Sequence, residues 1–239
     1  LQTAVAAAKS KILSLAIRGK LVPQDPADEP ASVLLERIRA ERETLIKQGK
    51  IKRGKGDSAI VRGDDNSYYE KLPQGWVSAR LGDVADIVMG QSPPGDSVTG
   101  NPNGVEFHQG KIFFTDRNLA HSRQYTAEAN KIAAKDSVML CVRAPVGVVN
   151  ITNREIAIGR GLCAITPCGK MSVVFIFHWL TAFQDSFIEQ ATGTTFVAIT
   201  TDVVRQQIVP IPPLAEQQRI VASIETAFAE LENIAENLS

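Results

Sequence analysis

The side chains best suited to chemistry sit between short β-rich runs: Gly90-Gln91-Ser92, Thr115-Asp116-Arg117-Asn118, Arg143, Gly159-Arg160-Gly161 and Gly193-Thr194-Thr195. A guanidinium can pair at two points with guanine, a glutamine amide with adenine, and hydroxyls with phosphate oxygens. Loops carried on a rigid scaffold suit such reading. Plainer roles fit the same residues: Asp116 and Asn118 can close turns, and Arg143 or Arg160 can pair with a nearby carboxylate. Both readings stand at this point.

Catalytic patterns are missing. The chain has no GxxxxGK[ST] loop, no GxGxxG, no HExxH and no GxSxG. Asn101-Pro102-Asn103 is not the Asn/Asp-Pro-Pro-aromatic loop of an adenine methyltransferase. Cys163, Cys168 and His178 do not have the spacing of a zinc site, and Cys141 and Cys163 lie in apolar runs that suit buried structural thiols. His108, His121 and His178 have no evident relay partner, and His178, between Phe177 and Trp179, reads as a core or helix-face residue. Neither a catalytic nor a metal site is expected.

The bulk properties agree with that reading. Of 239 residues, 44% are apolar and 22% charged, an ordinary globular balance that excludes wholesale disorder. Lys+Arg and Asp+Glu are both 26, so a globally basic nucleic-acid binder is excluded, though a local basic patch is not. Residues 1–60 carry 12 basic against 7 acidic groups, net +5, and residues 211–239 carry 1 against 5, net −4. No apolar run reaches the ~18 residues of a membrane span. The start is alanine-rich with lysines and lacks a signal-peptide pattern. Three cysteines without a CxxC pair suit a reducing cytoplasm.

Those oppositely charged ends both read as helices. Leu1, Val5, Ala8, Ile12 and Leu15 form an a/d seam that Gly19 and Pro23 terminate. Ile220, Ile224, Ala227, Leu231, Ile234 and Leu238 form another, entered at Pro213-Leu214. Helices this short are marginal alone, and opposite charge makes each the natural partner of the other. Packing of each on its own domain is the plainer alternative. A third helix starts near Pro30, read as a first-turn residue, with Ser32 as cap, and ends at Gly49. A basic stretch, Lys47 to Lys55, and a polar linker follow. Strands are expected at 84–88, 111–115, 137–142, 146–151 and 162–166, then one helix over 171–190. Bunched strands with a late helix predict an α+β fold.

Several longer segments carry a family resemblance. Gly19-Lys20-Leu21-Val22-Pro23-Gln24-Asp25-Pro26, Asp28-Glu29-Pro30-Ala31-Ser32 and the helix from Leu34 to Glu41 resemble the conserved helical region of type I restriction–modification specificity subunits. Leu72-Pro73-Gln74-Gly75-Trp76 and Arg80-Leu81-Gly82-Asp83 are similar to the opening of their target-recognition domain. Val142-Arg143-Ala144-Pro145-Val146-Gly147 and Ile158-Gly159-Arg160-Gly161-Leu162 are similar to segments within it. Thr192-Gly193-Thr194-Thr195-Phe196 and Pro210-Ile211-Pro212-Pro213-Leu214-Ala215-Glu216-Gln217-Gln218-Arg219-Ile220-Val221 resemble its exit.

The resemblance implies a non-catalytic cytoplasmic subunit that reads one half of a split double-stranded DNA target. Its domains would be a helical region at 1–55, a linker at 56–71, a target-recognition domain at 72–212 and a coiled-coil helix at 213–239. It implies no cofactor on this chain, with S-adenosylmethionine, ATP and Mg on partner methylation and restriction subunits. DNA contacts are expected from Gln91, Ser92, Lys111, Arg117, Arg123, Arg143, Arg160, Thr194 and Thr195, with Lys111 and Arg123 directed to phosphates. The antiparallel coil and subunit interface would use Leu1, Val5, Ile12, Leu15, Ile220, Ile224, Leu231 and Ile234. One recognition domain stands where the family has two, so a fragment, or a half-subunit that forms a homodimer, is expected; seams that begin mid-pattern at Leu1 and persist at Leu238 favour the fragment. A coiled-coil adaptor without DNA specificity is the alternative, and an independent DNA-modifying enzyme is disfavoured by the missing motifs.

Overall fold

The computed structural model describes residues 1–49, 71–193 and 197–238. The basic run from Lys50 onward, most of the expected linker, and Thr194 and Thr195 lie outside the described residues. In chain order the elements are α1 (Gln2–Ile17), α2 (Ala31–Lys47), β1 (Val77–Arg80), α3 (Leu81–Val84), β2 (Ala85–Met89), β3 (Val98–Thr99), β4 (Val105–His108), β5 (Tyr125–Thr126), β6 (Ile132–Ala133), β7 (Ser137–Cys141), β8 (Val149–Thr152), β9 (Ile156–Ile158), β10 (Leu162–Pro167), α4 (Val173–Ala182), α5 (Gln184–Gln190), α6 (Thr201–Gln206), β11 (Ile208–Ile211) and α7 (Leu214–Asn237). The class is mixed α+β.

These elements form two compact units, one of Leu1–Val84, Gly169–Ala182 and Ile208–Ser239, the other of Ala85–Cys168 and Phe183–Gln207. The division departs from a body spanning 72–212. Strand β1 pairs with β11, Val77 opposite Ile211 and Arg80 opposite Ile208, and this pairing keeps both strands with the helices.

In the first unit α1 lies against α7 and α4. Lys9 on α1 donates to Glu232 on α7 at 2.6 Å and stands 5.1 Å from the Phe228 ring centroid. Exposed pairs of this kind contribute at most ~1 kcal/mol, so burial carries the packing. On α7 that burial is confined to the first turns: Ile220 and Ile224 are fully buried, Leu231 is half-buried and Ile234 is exposed. On α1 the buried residues are Leu13, Ala16 and Ile17; Val5, Ile12 and Leu15 are half-buried and Leu1 is exposed. Contact with two helices turns the buried stripe of α1 away from a single a/d line. Ile224→Ala should destabilise by about 2–5 kcal/mol in chemical denaturation, whereas Ile234→Ala should stay within about 0.5 kcal/mol.

The resemblance segments of the helical region, the domain opening and the exit at 210–221 meet in this unit, whereas those at 142–147 and 158–162 belong to the second. Gln24 Nε2 donates to the Gly19 carbonyl at 2.8 Å and to Glu216 at 3.2 Å, and the Trp76 indole donates to Glu216 at 2.9 Å. Arg219 pairs with Asp28 at 2.6 Å. Burial pushes the Glu216 carboxyl up, and the two donors offset this only in part. Gly19 adopts φ +63°, and a Cβ there would lie 2.3 Å from Pro73, so the position needs glycine on both counts. Pro30 is the N-cap of α2 instead of a first-turn residue, and Ser32 forms no cap bond; the Ala31 N–H is satisfied by the Gly75 carbonyl at 2.8 Å.

The second unit holds an antiparallel sheet of order β2-β10-β7-β8 and a five-stranded sheet of order β3-β5-β4-β9-β6, in which β4 and β9 run parallel. Strand β7 is central and buried throughout, which explains its unbroken apolar run. Met139, Cys141, Ile156, Ile158, Leu162 and Ala164 form a core with Leu119 and Ala133. The strand expected at 111–115 is instead a 3-10 turn at Lys111–Phe113. Phe113 and Phe114 pack on that core while Ile112 is 86% exposed, so the run is not a pleated face. The helix expected over 171–190 is two, α4 and α5, parted at Phe183 where the chain passes from one unit to the other.

Candidate nucleic-acid interface

Backbone hydrogen bonds gather Gln91, Ser92 and Arg160 beyond the paired ends of β2 and β10. The Gly90 N–H donates to the Leu162 carbonyl (2.9 Å), the Gln91 N–H to Ile158 (3.0 Å) and the Gly159 N–H to His108 (2.8 Å). The Arg160 N–H donates to Ser92 Oγ at 3.3 Å, Ser92 Oγ donates to Gln109 Oε1 at 2.9 Å, and Asn130 Nδ2 donates to the Ser92 carbonyl at 3.2 Å. A Cβ on Gly90 would lie 2.1 Å from the Gly159 carbonyl oxygen, so the loops can approach this closely only through glycine. Gln91, Gln109 and Arg160 are exposed. The guanidiniums of Arg143 and Arg160 form no ion pair among the described residues, so the carboxylate-partner alternative does not apply to them there.

Arg143 lies two residues beyond the end of β7, next to this group, because the Val142 N–H donates to the Gly161 carbonyl at 3.0 Å. Arg143 also bridges to Ala198, and Ala198 to Thr192; these bridges flank the segment holding Thr194 and Thr195. Lys111, Arg117 and Arg123 stand on a separate stretch. Lys111 is exposed on the 3-10 turn, the Arg117 carbonyl accepts from Ile151 N–H at 2.7 Å, and Arg123 is exposed at φ +56°.

The sequence reading missed a buried carboxylate that organises this second stretch. Arg154 clasps Glu106 with Nε at 2.7 Å and Nη2 at 2.8 Å, and also donates to the Leu119 and Ala120 carbonyls, both at 3.0 Å. His108 Nε2 (2.8 Å), His121 Nδ1 (3.0 Å) and the Ser122 N–H (2.8 Å) complete the shell around Glu106. Burial alone would raise the Glu106 pKa, but hydrogen bonds from Arg154, Ser122, His108 and His121 outweigh it and hold the carboxyl well below the usual carboxylate range. Alternation along β4 puts Glu106 and His108 on one face, the signal that was available. No metal-ligating cluster occurs among the described residues.

His108 is buried, and its Nδ1 has no hydrogen-bond partner among the described residues. Burial pushes its pKa below the ordinary ~6.5, against the opposing pull of Glu106. The unfolded chain then binds a proton near pH ~6.5 that the folded chain refuses, so stability falls as pH drops below that value. The midpoint of denaturation should decline between about pH 7 and pH 5, and His108→Gln should flatten the decline.

Cys141 and Cys163 are buried, and burial pushes both thiols up to about 12, which makes them inert packing residues. No helix among the described residues is long and apolar enough to cross a membrane.

Comparison with known proteins settles the family. A sequence model described as type I restriction modification DNA specificity domain matches residues 73–238. The chain belongs to that family. The match runs through both units and includes the glycine-pinned loops and the buried Glu106 shell. The chain is 35% identical to the type I restriction enzyme EcoEI specificity subunit of Escherichia coli over 71% of its own length and 24% of that protein's. The crystal structure of the HsdS subunit from Thermoanaerobacter tengcongensis is 28% identical, with a TM-score of 0.61, over 97% of this chain and 51% of that one. A second chain, from a structure describing complex assembly and conformational transition of the type I restriction–modification system, is 29% identical with a TM-score of 0.64, covering 97% and 53%. This specificity-domain chain therefore spans about a quarter of the curated relative and about half of the solved ones.

Proposed function

We propose that this specificity-domain chain reads one half of a split DNA target through the second unit and docks methylation subunits through its helices, without chemistry of its own. The observation that carries this reading is the group of exposed Gln91, Arg143 and Arg160 side chains on backbone-pinned loops, with both guanidiniums free of carboxylate partners among the described residues. Base-edge recognition requires donors carried on a rigid scaffold, and backbone pinned in advance lowers the loop-ordering cost of binding. Lys111 and Arg123, exposed on the separate stretch, suit phosphate contacts that fix register.

In this reading the packing of α1 on α7, with the Lys9–Glu232 pair, is half of an antiparallel coil that spaces recognition domains. The exposed Ile234 and Leu238 are left for a partner. S-adenosylmethionine, ATP and Mg belong to the partner methylation and restriction subunits. A duplex titration of the chain assembled with its methylation subunits tests the reading. Affinity should fall steeply between about 50 and 200 mM salt, because phosphate contacts release counterions. Affinity that is feeble and flat with salt would favour a coiled-coil adaptor instead.

A further inference from the structure

Within the cluster, one exposed amide has its two ends distinguished by its neighbours. The Arg160 N–H can only donate, so Ser92 Oγ accepts there at 3.3 Å, and the Ser92 proton is directed to Gln109 Oε1 at 2.9 Å. The same oxygen lies 2.2 Å from the place a Cβ on Gly159 would occupy, so it faces the glycine C–H, a weak donor that suits an oxygen and would clash with an NH2. Gly161 makes room for the Gln109 backbone in the same way, with a would-be Cβ 2.4 Å from the Gln109 carbonyl oxygen. Gly161 thus has to be glycine because of the Gln109 backbone, and at Gly159 a Cβ would displace the Gln109 amide from its place. Its Nε2 is left with both N–H groups unengaged among the described residues, on an exposed side chain.

We propose that Gln109 is a base-reading residue and that its fixed polarity makes it read guanine. A glutamine free to present both ends pairs with adenine, offering one donor and one acceptor; here the acceptor is already engaged. In the major groove guanine presents two adjacent acceptors, N7 and O6, to match two donors. Ser92 is then a positioning residue that holds the amide oxygen inward. The proposal rests on the DNA-recognition reading above and adds a base identity to it.

The test is selection from a random duplex pool by the full chain assembled with its methylation subunits, comparing wild type, Gln109→Glu and Ser92→Ala. Wild type should enrich a motif containing one guanine whose replacement weakens binding by about 5- to 150-fold, the range for one good bidentate contact. A carboxylate in place of the amide would offer only acceptors, so Gln109→Glu should move that single position from guanine to cytosine, whose N4 amine donates. Ser92→Ala removes the stronger of the two contacts that hold the amide oxygen inward, leaving only the weak Gly159 C–H, and should broaden the same position from guanine toward adenine. Both variants should melt as wild type does. An unchanged motif from folded Gln109→Glu overturns the proposal, as does an equal loss at every position, which marks a purely structural role. A wild-type chain that enriches no motif sinks the recognition reading itself, and the proposal with it.

Discussion

Replacing Glu106 with alanine is expected to destabilise the protein by about 3–5 kcal/mol, read as a shift in the denaturation midpoint. The carboxylate is 9% exposed and pairs with a guanidinium that is itself only 22% exposed, so its removal strands a largely desolvated charge. Three further groups lose an acceptor at once: His108, His121 and the Ser122 N–H. Glu106→Gln should recover only part of the loss, since it keeps the shape but cannot accept from Arg154 at both oxygens. Removing both partners in Glu106→Ala/Arg154→Ala should cost less than the sum of the single changes, because no unpaired charge remains. The pH dependence has a definite sign. A carboxyl whose folded pKa is depressed contributes stability that is fully present above its unfolded value of ~4.3 and is lost as pH falls through the folded value. Glu106→Ala should therefore show less acid sensitivity below about pH 4 than the wild type. An alanine variant as stable as wild type at neutral pH would contradict this account of the shell.

Gly90→Ala is expected to abolish sequence-specific DNA binding while lowering stability by about 1–3 kcal/mol. The added Cβ would meet the Gly159 carbonyl oxygen at 2.1 Å, the Gly159 carbonyl carbon at 2.8 Å and the Leu162 carbonyl oxygen at 2.8 Å. All three are backbone atoms, so no flexible side chain can yield, and the loop carrying Arg160 must move away from the one carrying Ser92. Bonds that hold recognition geometry are lost with a shift of that size, whereas the buried β7–β10 core is untouched. Gly100→Ala, whose Cβ would meet nothing within 4 Å, should leave both stability and binding unchanged. Thermal denaturation and a duplex titration on the two variants separate the outcomes. Wild-type affinity in Gly90→Ala would remove the cluster from the binding account.

Local signals in the sequence accounted for much of the scaffold. Gly19 reads as a helix stop because only glycine takes its left-handed conformation readily, and the structure places it at φ +63°. The periodicity of Ile220 and Ile224 marks residues that are indeed fully buried. Signals failed where tertiary context overrides the local pattern. The Lys111–Thr115 run is apolar, but its two phenylalanines are drawn to a core built by distant strands, and Ile112 is turned outward. Strands of two or three residues, such as β5, β6 and β9, are too short to show alternation. At the candidate interface, Gln91, Ser92 and Arg160 were legible as polar residues beside glycines, and their meeting depends on pairing between β2 and β10. Glu106 and Arg154 lie 48 residues apart, and nothing local announces that one clasps the other.

Sequencing of duplexes selected by the assembled wild-type chain from a random pool tests the central claim most directly. One short enriched motif is expected, present in wild type and lost in Gly90→Ala. Two inverted copies at fixed spacing would mean that two such chains pair to read both halves of a target, and a single copy that one chain acts alone. Absence of any enriched motif, from protein shown to be folded and assembled, would contradict the claim that the second unit reads DNA.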